Sequence, residues 1–278
     1  MRRKAWWLGV LALTALILAG GPVPAEAAGA RGAGPGLVPA GRFEVGLSAA
    51  WLSLERFQDT RESFREADGE TGSEPSTNLK IRNDRTYMVN LTYGLTRWLS
   101  LRAGLGLVEG GSIQETLSNG NWEAKLKSHL VWGLGARALV WEGGPGLGLT
   151  AGLGYLRYDD RGIKYWQYPN GGNTSEAGVG VDGQVDYWRV EADLRLHWSL
   201  GRWRPFVGGA YAYSEITDKD RWSYPDGGWS RYDFASKSAD RWGLLGGLEA
   251  EIIPGLNLIV QGMLLAREEI GLSLSYDF

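Results

Sequence analysis

The stretch YWRVEADLRLHWSL, residues 187–200, places side chains of opposite character on its two faces. Alternation with a period of two predicts a β-strand, because successive side chains of a strand point to opposite sides of the sheet. One face carries only apolar side chains: Val190, Ala192, Leu194, Leu196 and Trp198. The other face carries side chains that need water or each other: Arg189, Glu191, Asp193, Arg195 and His197. One such strand fits a soluble sandwich and a membrane barrel equally well.

The complete set of alternating segments distinguishes between these two folds. Ten segments follow the pattern, at about residues 42–56, 80–95, 98–109, 124–141, 146–158, 185–199, 203–216, 238–252, 256–266 and 270–278. Their connections alternate in length, with short turns from Thr96, Glu142, Leu200 and Ile253 and long loops at about 57–79, 110–123, 159–184 and 217–237. Short turns at one end and long loops at the other are typical of outer-membrane barrels. The sequence therefore predicts an all-β fold, a transmembrane antiparallel up-and-down β-barrel of about ten strands, with eight or twelve as alternatives.

The N-terminus has the arrangement of a secretory signal peptide. Arg2, Arg3 and Lys4 precede an apolar stretch, and Ala25 and Ala27 supply the small residues of a cleavage site. The long apolar run that a membrane-spanning helix needs occurs once in the sequence, in this stretch. We therefore expect an exported protein.

The sequence predicts a signal peptide over residues 1–27, a periplasmic linker over 28–41 and a barrel over 42–278. Removing the signal peptide leaves 29 − 3 = 26 basic and 32 − 1 = 31 acidic residues, a net charge of −5. An acidic exported chain is not expected to bind nucleic acid. The sequence contains 0 cysteines, which excludes disulfides and thiolate metal sites.

Two internal stretches resemble strand-turn-strand sequences of small β-barrels from Gram-negative outer membranes: YGLTRWLSLRAGLGL from Tyr93 and WRPFVGGAYAYS from Trp203. The chain ends in IGLSLSYDF, and its Tyr276 and Phe278 resemble the C-terminal insertion signal of these proteins. The resemblance covers roughly residues 42–278 and implies no substrate. It implies location in the outer membrane, contact with its lipid and lipopolysaccharide, and insertion by the barrel-assembly machinery.

With the apolar faces toward lipid, the charged faces line the lumen. The predicted charge network consists of Glu44, Arg102, Arg137, Arg189, Glu191, Asp193, Arg195, His197, Arg204, Arg241, Glu249 and Glu251, with Asp277 at its end. A ten-strand barrel is little wider than an eight-strand one, which side chains fill. Buried charges are tolerated only when they are paired. The pattern predicts a salt-bridged plug, and a narrow path for ions or small solutes is the alternative.

The pattern Trp-x-Tyr-Pro-Asn/Asp-Gly-Gly occurs twice, in the third and fourth long loops. Pro followed by Asn-Gly or Asp-Gly favours a tight turn, so we expect stiff β-hairpins above the membrane. The candidate residues for binding a glycan or a host-surface ligand are Tyr165, Trp166, Tyr168, Trp222, Tyr224, Trp229 and Tyr232. The alternative is that these rings pack the hairpins together. The first long loop, from Gln58, is charged and poor in aromatics, and we expect it to be mobile.

The sequence offers little for catalysis. His129 and His197 are the two histidines, and the predicted strands place them some 20–25 Å apart in depth. Neither a catalytic motif nor a cofactor or metal site is predicted. We expect a monomer with a structural or surface-binding, porin-like or adhesin-like role. A narrow channel is the first alternative, and a surface protease or lipid-modifying enzyme is the second.

Overall fold

The computed structural model describes residues 37–76, 79–117 and 120–278. The predicted signal peptide and most of the predicted linker lie outside these residues. Within the described ranges, no helix is long and apolar enough to cross a membrane. Thirteen strands form a single sheet there. They are β1 Phe43–Glu66, β2 Thr71–Ser76, β3 Leu79–Thr96, β4 Leu99–Leu117, β5 Gly120–Leu126, β6 His129–Glu142, β7 Leu147–Gln167, β8 Gly180–Trp198, β9 Trp203–Ser223, β10 Trp229–Ser238, β11 Trp242–Ile253, β12 Leu256–Leu264 and β13 Arg267–Asp277.

Ten of these strands close into a barrel, which confirms the predicted fold. The antiparallel order around the ring is β1, β3, β4, β6, β7, β8, β9, β11, β12 and β13, and β13 pairs with β1 from Asp277 opposite Glu44 to Arg267 opposite Glu55. The turns after β3, β6, β8 and β11, which the sequence predicted to be short, lie at one end, which we call the turn end. The strand termini meet there, because Phe43 and Phe278 exchange backbone hydrogen bonds of 3.3 and 3.0 Å. The opposite end is called the hairpin end.

The outer surface of the ring is an apolar band between two rows of aromatic side chains. Residues of the band are more than half exposed, among them Leu47, Val89, Leu105, Leu134, Leu153, Leu194, Val207 and Leu244. Trp188 and Trp198 on β8 mark the two rows and lie 198 − 188 = 10 residues apart. At about 3.3 Å per residue and a tilt of about 40°, this separation spans about 25 Å, the height of the apolar band in transmembrane barrels.

Above the band, the wall narrows from ten strands to eight. At this level β12 stops at Leu264, and β13 begins only at Arg267, so neither strand continues into the upper wall. There β1 pairs with β10 instead, from Phe57 opposite Ser238 to Glu66 opposite Ser230. The eight strands around the wall are β1, β10, β9, β8, β7, β5, β4 and β3. We call this part the extension. Most of what was predicted as long loops is therefore strand, and the described part of the first loop is held between β2 and β10 rather than free.

The alternation of inward and outward side chains reverses where the extension begins. On β3, Asn90 points into the barrel and Val89 points outward. Asn83 interrupts the strand with a φ of 55°. Beyond it, Ile81 points inward, and it is 1% exposed. Below the interruption, apolar residues therefore face outward, and above it they face inward.

Similar interruptions occur on most of the other strands at the same level. Gly110 and Gly111 of β4 have positive φ values of 68° and 73°, and the β7–β8 register shifts between Tyr158 and Arg161. β1 shifts register between Leu52 and Leu54. Breaks of two and three residues separate β5 from β6 and β10 from β11. Extra residues of this kind turn successive side chains to the other face of a strand. We call this level the bulge ring.

The interior of the extension is an apolar core. Its buried side chains are Leu52, Phe57, Leu79, Ile81, Val108, Ile113, Ala124, Leu126, Val131, Tyr158, Ile163, Trp166, Val185, Tyr187, Ile216 and Phe234. The half of the barrel that carries the apolar band has the opposite arrangement, with an apolar outer surface and a polar interior. The sequence analysis placed a charged plug in the lumen and did not foresee this second, apolar filling.

Candidate functional site: a charged lumen below an apolar core

A cavity of about 270 Å³ lies in the lumen, below the core of the extension. Ile81, Tyr158 and Tyr187 line its upper side, and the two tyrosine rings stack with 5.2 Å between centroids. Ser100 and Thr92 lie at its lower side, toward the turn end. The wall between is lined mainly by charged and small residues, with many glycines among them. The cavity is therefore a polar space covered by an apolar layer.

Residues that precede β1 occupy the turn end of the lumen. Leu37 and Val38 are buried. The backbone N–H of Val38 donates to the inward-facing Ser100 hydroxyl at 2.9 Å. Gly94 permits this close approach, because a Cβ at that position would lie 2.1 Å from the Pro39 carbonyl oxygen. The end of the predicted linker therefore lies in the mouth of the barrel.

One group of lumen charges is centred on Asp193 of β8. Arg137 of β6 binds it with two hydrogen bonds of 3.0 and 2.9 Å. Arg195 binds the same carboxylate at 2.7 Å, donates to Gln261 at 3.2 Å, and lies 5.0 Å from the centroid of the Phe206 ring. Paired geometry of this kind, with additional hydrogen bonds, allows charges to remain ionised in a confined interior.

A second group joins β8 to β13. Arg267 bonds to Glu191 at 2.5 Å and to Glu269 at 2.9 Å. Arg189 also reaches Glu269, at 3.4 Å. The predicted network contained Arg189 and Glu191 but lacked Arg267 and Glu269. Both lie between the predicted segments 256–266 and 270–278, and continuing the alternation of the last segment backwards would have placed them on the inner face.

Further predicted residues lie nearer the turn end. Arg204 pairs with Glu249 at 3.1 Å. His197 is buried on the inner face of β8, at 1% exposure. Glu44 lines the cavity. Glu251 accepts a hydrogen bond from the Gly255 N–H at 3.0 Å and so caps the β11–β12 turn.

Two predicted network residues differ from the rest. Arg241 was expected in the lumen, but it lies on the outer surface, 5.1 Å from the centroid of the outward-facing Tyr213 ring. It precedes β11, in the break where the alternation reverses. Arg102 does point into the cavity, where its side chain is exposed to the lumen. Unlike the other lumen arginines of the described ranges, it forms no ion pair with a carboxylate.

A buried arginine connects the irregular positions of the bulge ring. Arg161 is 0% exposed and binds Asp84 with two hydrogen bonds of 3.0 and 2.9 Å. It also donates to the carbonyl oxygens of Gly110, at 2.7 Å, and Lys127, at 2.8 Å. These two carbonyls belong to the interruption of β4 and the β5–β6 break. The guanidinium group thus satisfies backbone groups that the sheet leaves free, a role that the sequence analysis missed.

The top of the core is aromatic. Trp122 contacts Tyr168 and Trp222, with centroids 5.3 and 6.1 Å apart, and Trp222 contacts Tyr232 at 5.5 Å. These four half-buried rings form what we call the aromatic floor. Trp166 lies beneath it, 6.2 Å from Trp222.

The candidate surface-binding residues therefore fall into different environments. Trp166 is 5% exposed, so it is a core residue and offers no ring to a surface ligand, which corrects the expectation for this position. Tyr168, Trp222 and Tyr232 belong to the aromatic floor. Trp229 stacks with Arg221 on the outer face, 5.5 Å from ring centroid to guanidinium carbon. Tyr165 is half-buried, and Tyr224 contacts Ser230 in its hairpin at 3.3 Å.

Two carboxyl groups lie buried beside the aromatic floor. Asp220 accepts a hydrogen bond from the Trp166 indole N–H at 2.5 Å. Asp218 is 1% exposed. Burial and the neighbouring Asp220 carboxylate raise the pKa of Asp218 well above its ordinary value. Burial also raises the pKa of Asp220. The pair therefore retains a proton at a pH where exposed aspartates have lost theirs.

No protein-family model and no curated protein matches the sequence. Solved structures do resemble the fold. The outer membrane protein OprG from Pseudomonas aeruginosa is 14% identical, with 86% of this chain and 97% of that chain covered and a TM-score of 0.46. The outer membrane protease OmpT from Escherichia coli is 14% identical, with 86% of this chain and 97% of that chain covered and a TM-score of 0.49. An outer membrane channel from Pseudomonas putida F1 is 13% identical, with 88% of this chain and 99% of that chain covered and a TM-score of 0.38. At these identities and TM-scores, the likenesses show neither a shared ligand nor a shared activity.

Proposed function

Since the chain has the ten-strand fold of Gram-negative outer-membrane β-barrels, we propose that it is a sealed barrel of that membrane which presents a stiff recognition surface. The turn end would face the periplasm, and the extension would face the outside. The core of the extension carries this proposal, because apolar side chains fill the interior between the cavity and the hairpin end. A solute path would have to pass through that layer.

The charged lumen supports the same role. Most of its arginines pair with carboxylates, and the Arg267–Glu191 pair joins β13 to β8 across the lumen. Such pairs favour a filled, rigid interior over an open, hydrated path. A narrow channel remains the alternative, and the cavity is the feature that favours it. The buried position of His197 gives no support to a surface hydrolase.

The recognition surface would be the aromatic floor together with the hairpins that surround it. Its four rings are half-buried, so each has part of its surface available from the hairpin end. Flat aromatic faces bind sugar rings and protein side chains. A glycan, a lipopolysaccharide saccharide or a host-surface protein is therefore the proposed class of ligand.

The route to the membrane forms part of the same proposal. Tyr276 and Phe278 are exposed on the outer face at the turn end, where the barrel-assembly machinery would bind them as the insertion signal. Phe278 stacks on Phe43 at 6.5 Å, so the signal lies next to the strand that closes the ring. Outer-membrane lipid would contact the apolar band, and the protein would act as a monomer.

Conductance measurements in planar lipid bilayers test whether the lumen is closed. The refolded mature protein should give no stepwise conductance. A variant that lacks residues 28–39 should also give no conductance. The apolar core of the extension, and not the end of the linker in the barrel mouth, closes the lumen in this proposal. Discrete conductance steps from either protein, in a sample shown to be folded by its faster migration on an unheated gel, would contradict the proposal.

Binding to immobilised glycans and lipopolysaccharide saccharides tests the recognition surface. Trp222→Phe should weaken a detected interaction, because it reduces the ring area at the centre of the floor. Trp188→Phe is the matched control, since Trp188 faces outward in the aromatic row and contacts Tyr213 instead. Equal binding by both variants and the wild type would exclude the floor as the binding surface.

A further inference from the structure

One sector of the lumen, formed by β4, β6, β7 and β8, carries more positive than negative charge. Arg102, Arg137 and Arg195 project into it, and Asp193 is the carboxylate that binds Arg137 and Arg195. Arg102 is close enough to Arg137 for the two guanidinium groups to repel each other. Glu191 of β8 also attracts Arg102, but it is bound by Arg267, so a local excess of positive charge remains around Arg102.

The other lumen carboxylates are engaged elsewhere. Glu191 and Glu269 are bound by Arg267, and Glu269 is also bound by Arg189. Glu249 is bound by Arg204. Glu44, Glu191 and Asp193 all attract Arg102, Glu44 most strongly, but none of them forms an ion pair with it. The cavity lining thus contains a guanidinium group whose hydrogen-bond donors have no fixed acceptor among the residues that the structure describes.

The space around Arg102 is kept open by glycines. Gly104 follows it on the inner face of β4, and Gly135 lies opposite on β6, where an added Cβ would be 3.8 Å from the Arg102 Nε. Asn90 and Ser48 line the cavity on the neighbouring strands and are hydrogen-bonded to each other at 2.8 Å. A ligand at Arg102 would therefore contact one guanidinium group and nearby polar side chains.

We propose that this cavity binds a small oxyanion, an inorganic phosphate or a short carboxylate, held by Arg102 beside Arg137. The planar guanidinium group matches two oxygens of a carboxylate or phosphate at once. A cavity of about 270 Å³ has room for such an anion and several waters, since one water needs only about 10–15 Å³ of such space.

The oxyanion site does not depend on the recognition surface or on conduction. The ligand would enter from the turn end, past Leu37 and Val38, and would leave by the same route. A sealed barrel can therefore hold the anion, and a failed glycan-binding assay would say nothing about this site.

Nuclear magnetic resonance of arginine side chains tests the proposal directly. Protein refolded in detergent micelles with ¹⁵N-labelled arginine would be titrated with sodium phosphate and, separately, with sodium acetate at constant ionic strength. The Nε–H signal that disappears in Arg102→Gln should shift saturably in the wild type with at least one of the two anions. Saturation by one anion alone would support the site and define its ligand.

Three variants sharpen the test. Arg102→Gln should weaken binding about tenfold or more, the size of one charge-assisted hydrogen bond, as followed by the Arg137 signal. Arg102→Lys should recover part of the loss, and Glu44→Gln should tighten binding. Arg85→Gln, on the outer face of β3, should leave it unchanged. The absence of a saturable shift in the folded wild type, or an unchanged affinity in Arg102→Gln, would overturn the proposal.

Discussion

Replacing Arg161 by methionine should destabilise the barrel more than any other single arginine replacement on β7. The wild-type side chain is fully buried and makes four hydrogen bonds, two to Asp84 and one each to the carbonyls of Gly110 and Lys127. Methionine fills a similar volume but can donate to none of these groups. The change therefore isolates the polar role of the guanidinium group from its packing.

The magnitude follows from the groups left without a partner. Removing one member of a buried ion pair costs about 3–5 kcal/mol, because the Asp84 carboxylate remains in an apolar site. Each buried carbonyl that loses its donor adds about 1–3 kcal/mol. We expect a loss of about 5 kcal/mol or more in the free energy of unfolding. The double variant Asp84→Asn with Arg161→Met should recover at least about 2 kcal/mol, since it removes the unpaired charge.

Urea unfolding in detergent micelles, followed by tryptophan fluorescence, measures these differences. Arg157→Met is the matched control on the same strand, because the Arg157–Asp159 pair is exposed and should contribute only about 0–1 kcal/mol. Hydrogen exchange should locate the loss of protection in β3, β4 and β7 at the bulge ring. If Arg161→Met and Arg157→Met differ by less than about 1 kcal/mol, the role assigned to Arg161 is wrong.

Three further predictions concern separate parts of the molecule. The raised pKa of Asp218 means that the folded protein keeps a proton which the unfolded chain loses above its ordinary pKa of 3.8. Relative to Asp218→Asn, the unfolding free energy of the wild type should therefore be greatest at low pH and fall by about 1.4 kcal/mol per pH unit as the pH rises toward the folded-state pKa. A pH-independent difference would contradict this. Asp193→Asn should cost about 3–5 kcal/mol in urea unfolding, since Arg137 and Arg195 lose their carboxylate, and a loss below about 1 kcal/mol would refute the pairing. Gly106→Ala should prevent formation of the fast-migrating folded form on an unheated gel, because its Cβ would lie 1.9 Å from the Tyr87 carbonyl oxygen, whereas Gly154→Ala, with nothing within 4 Å, should fold. Normal folding of Gly106→Ala would show that β3 and β4 can separate.

The alternation of side chains, together with the alternating lengths of the connections, was sufficient to predict the ten-strand ring. A strand that faces lipid on one side and a polar lumen on the other must alternate along its whole membrane-spanning length, as β8 does from Arg189 to Trp198. The sequence therefore predicted correctly which side chains of β8 lie on its inner face. Which arginine pairs with which carboxylate was not predictable, because partners such as Arg267 and Glu191 come from strands that are distant in sequence.

The extension was not predictable as a core because most of its strands do not continue the earlier alternation. Reading β3 with one fixed period places Ile81 outward, and only the interruption at Asn83 turns it inward. The same effect explains the error at Arg241, which lies in the β10–β11 break. The aromatic repeats were recognised as hairpins, but their pattern does not tell which rings, such as Trp166, point into the interior.

In the proposed membrane location, with the apolar band among the acyl chains, the reversal of polarity at the bulge ring would give the molecule one stable depth in the bilayer. A displacement toward the periplasm would move charged outer side chains of the extension, such as Lys80 and Arg82, among acyl chains, where a basic side chain costs up to about 2–4 kcal/mol. A displacement the other way would expose Leu and Val side chains of the apolar band to water, at about 25 cal/mol per Å². Thermal motion along the membrane normal is thus opposed in both directions, and the hairpins stay at a constant height above the lipid headgroups.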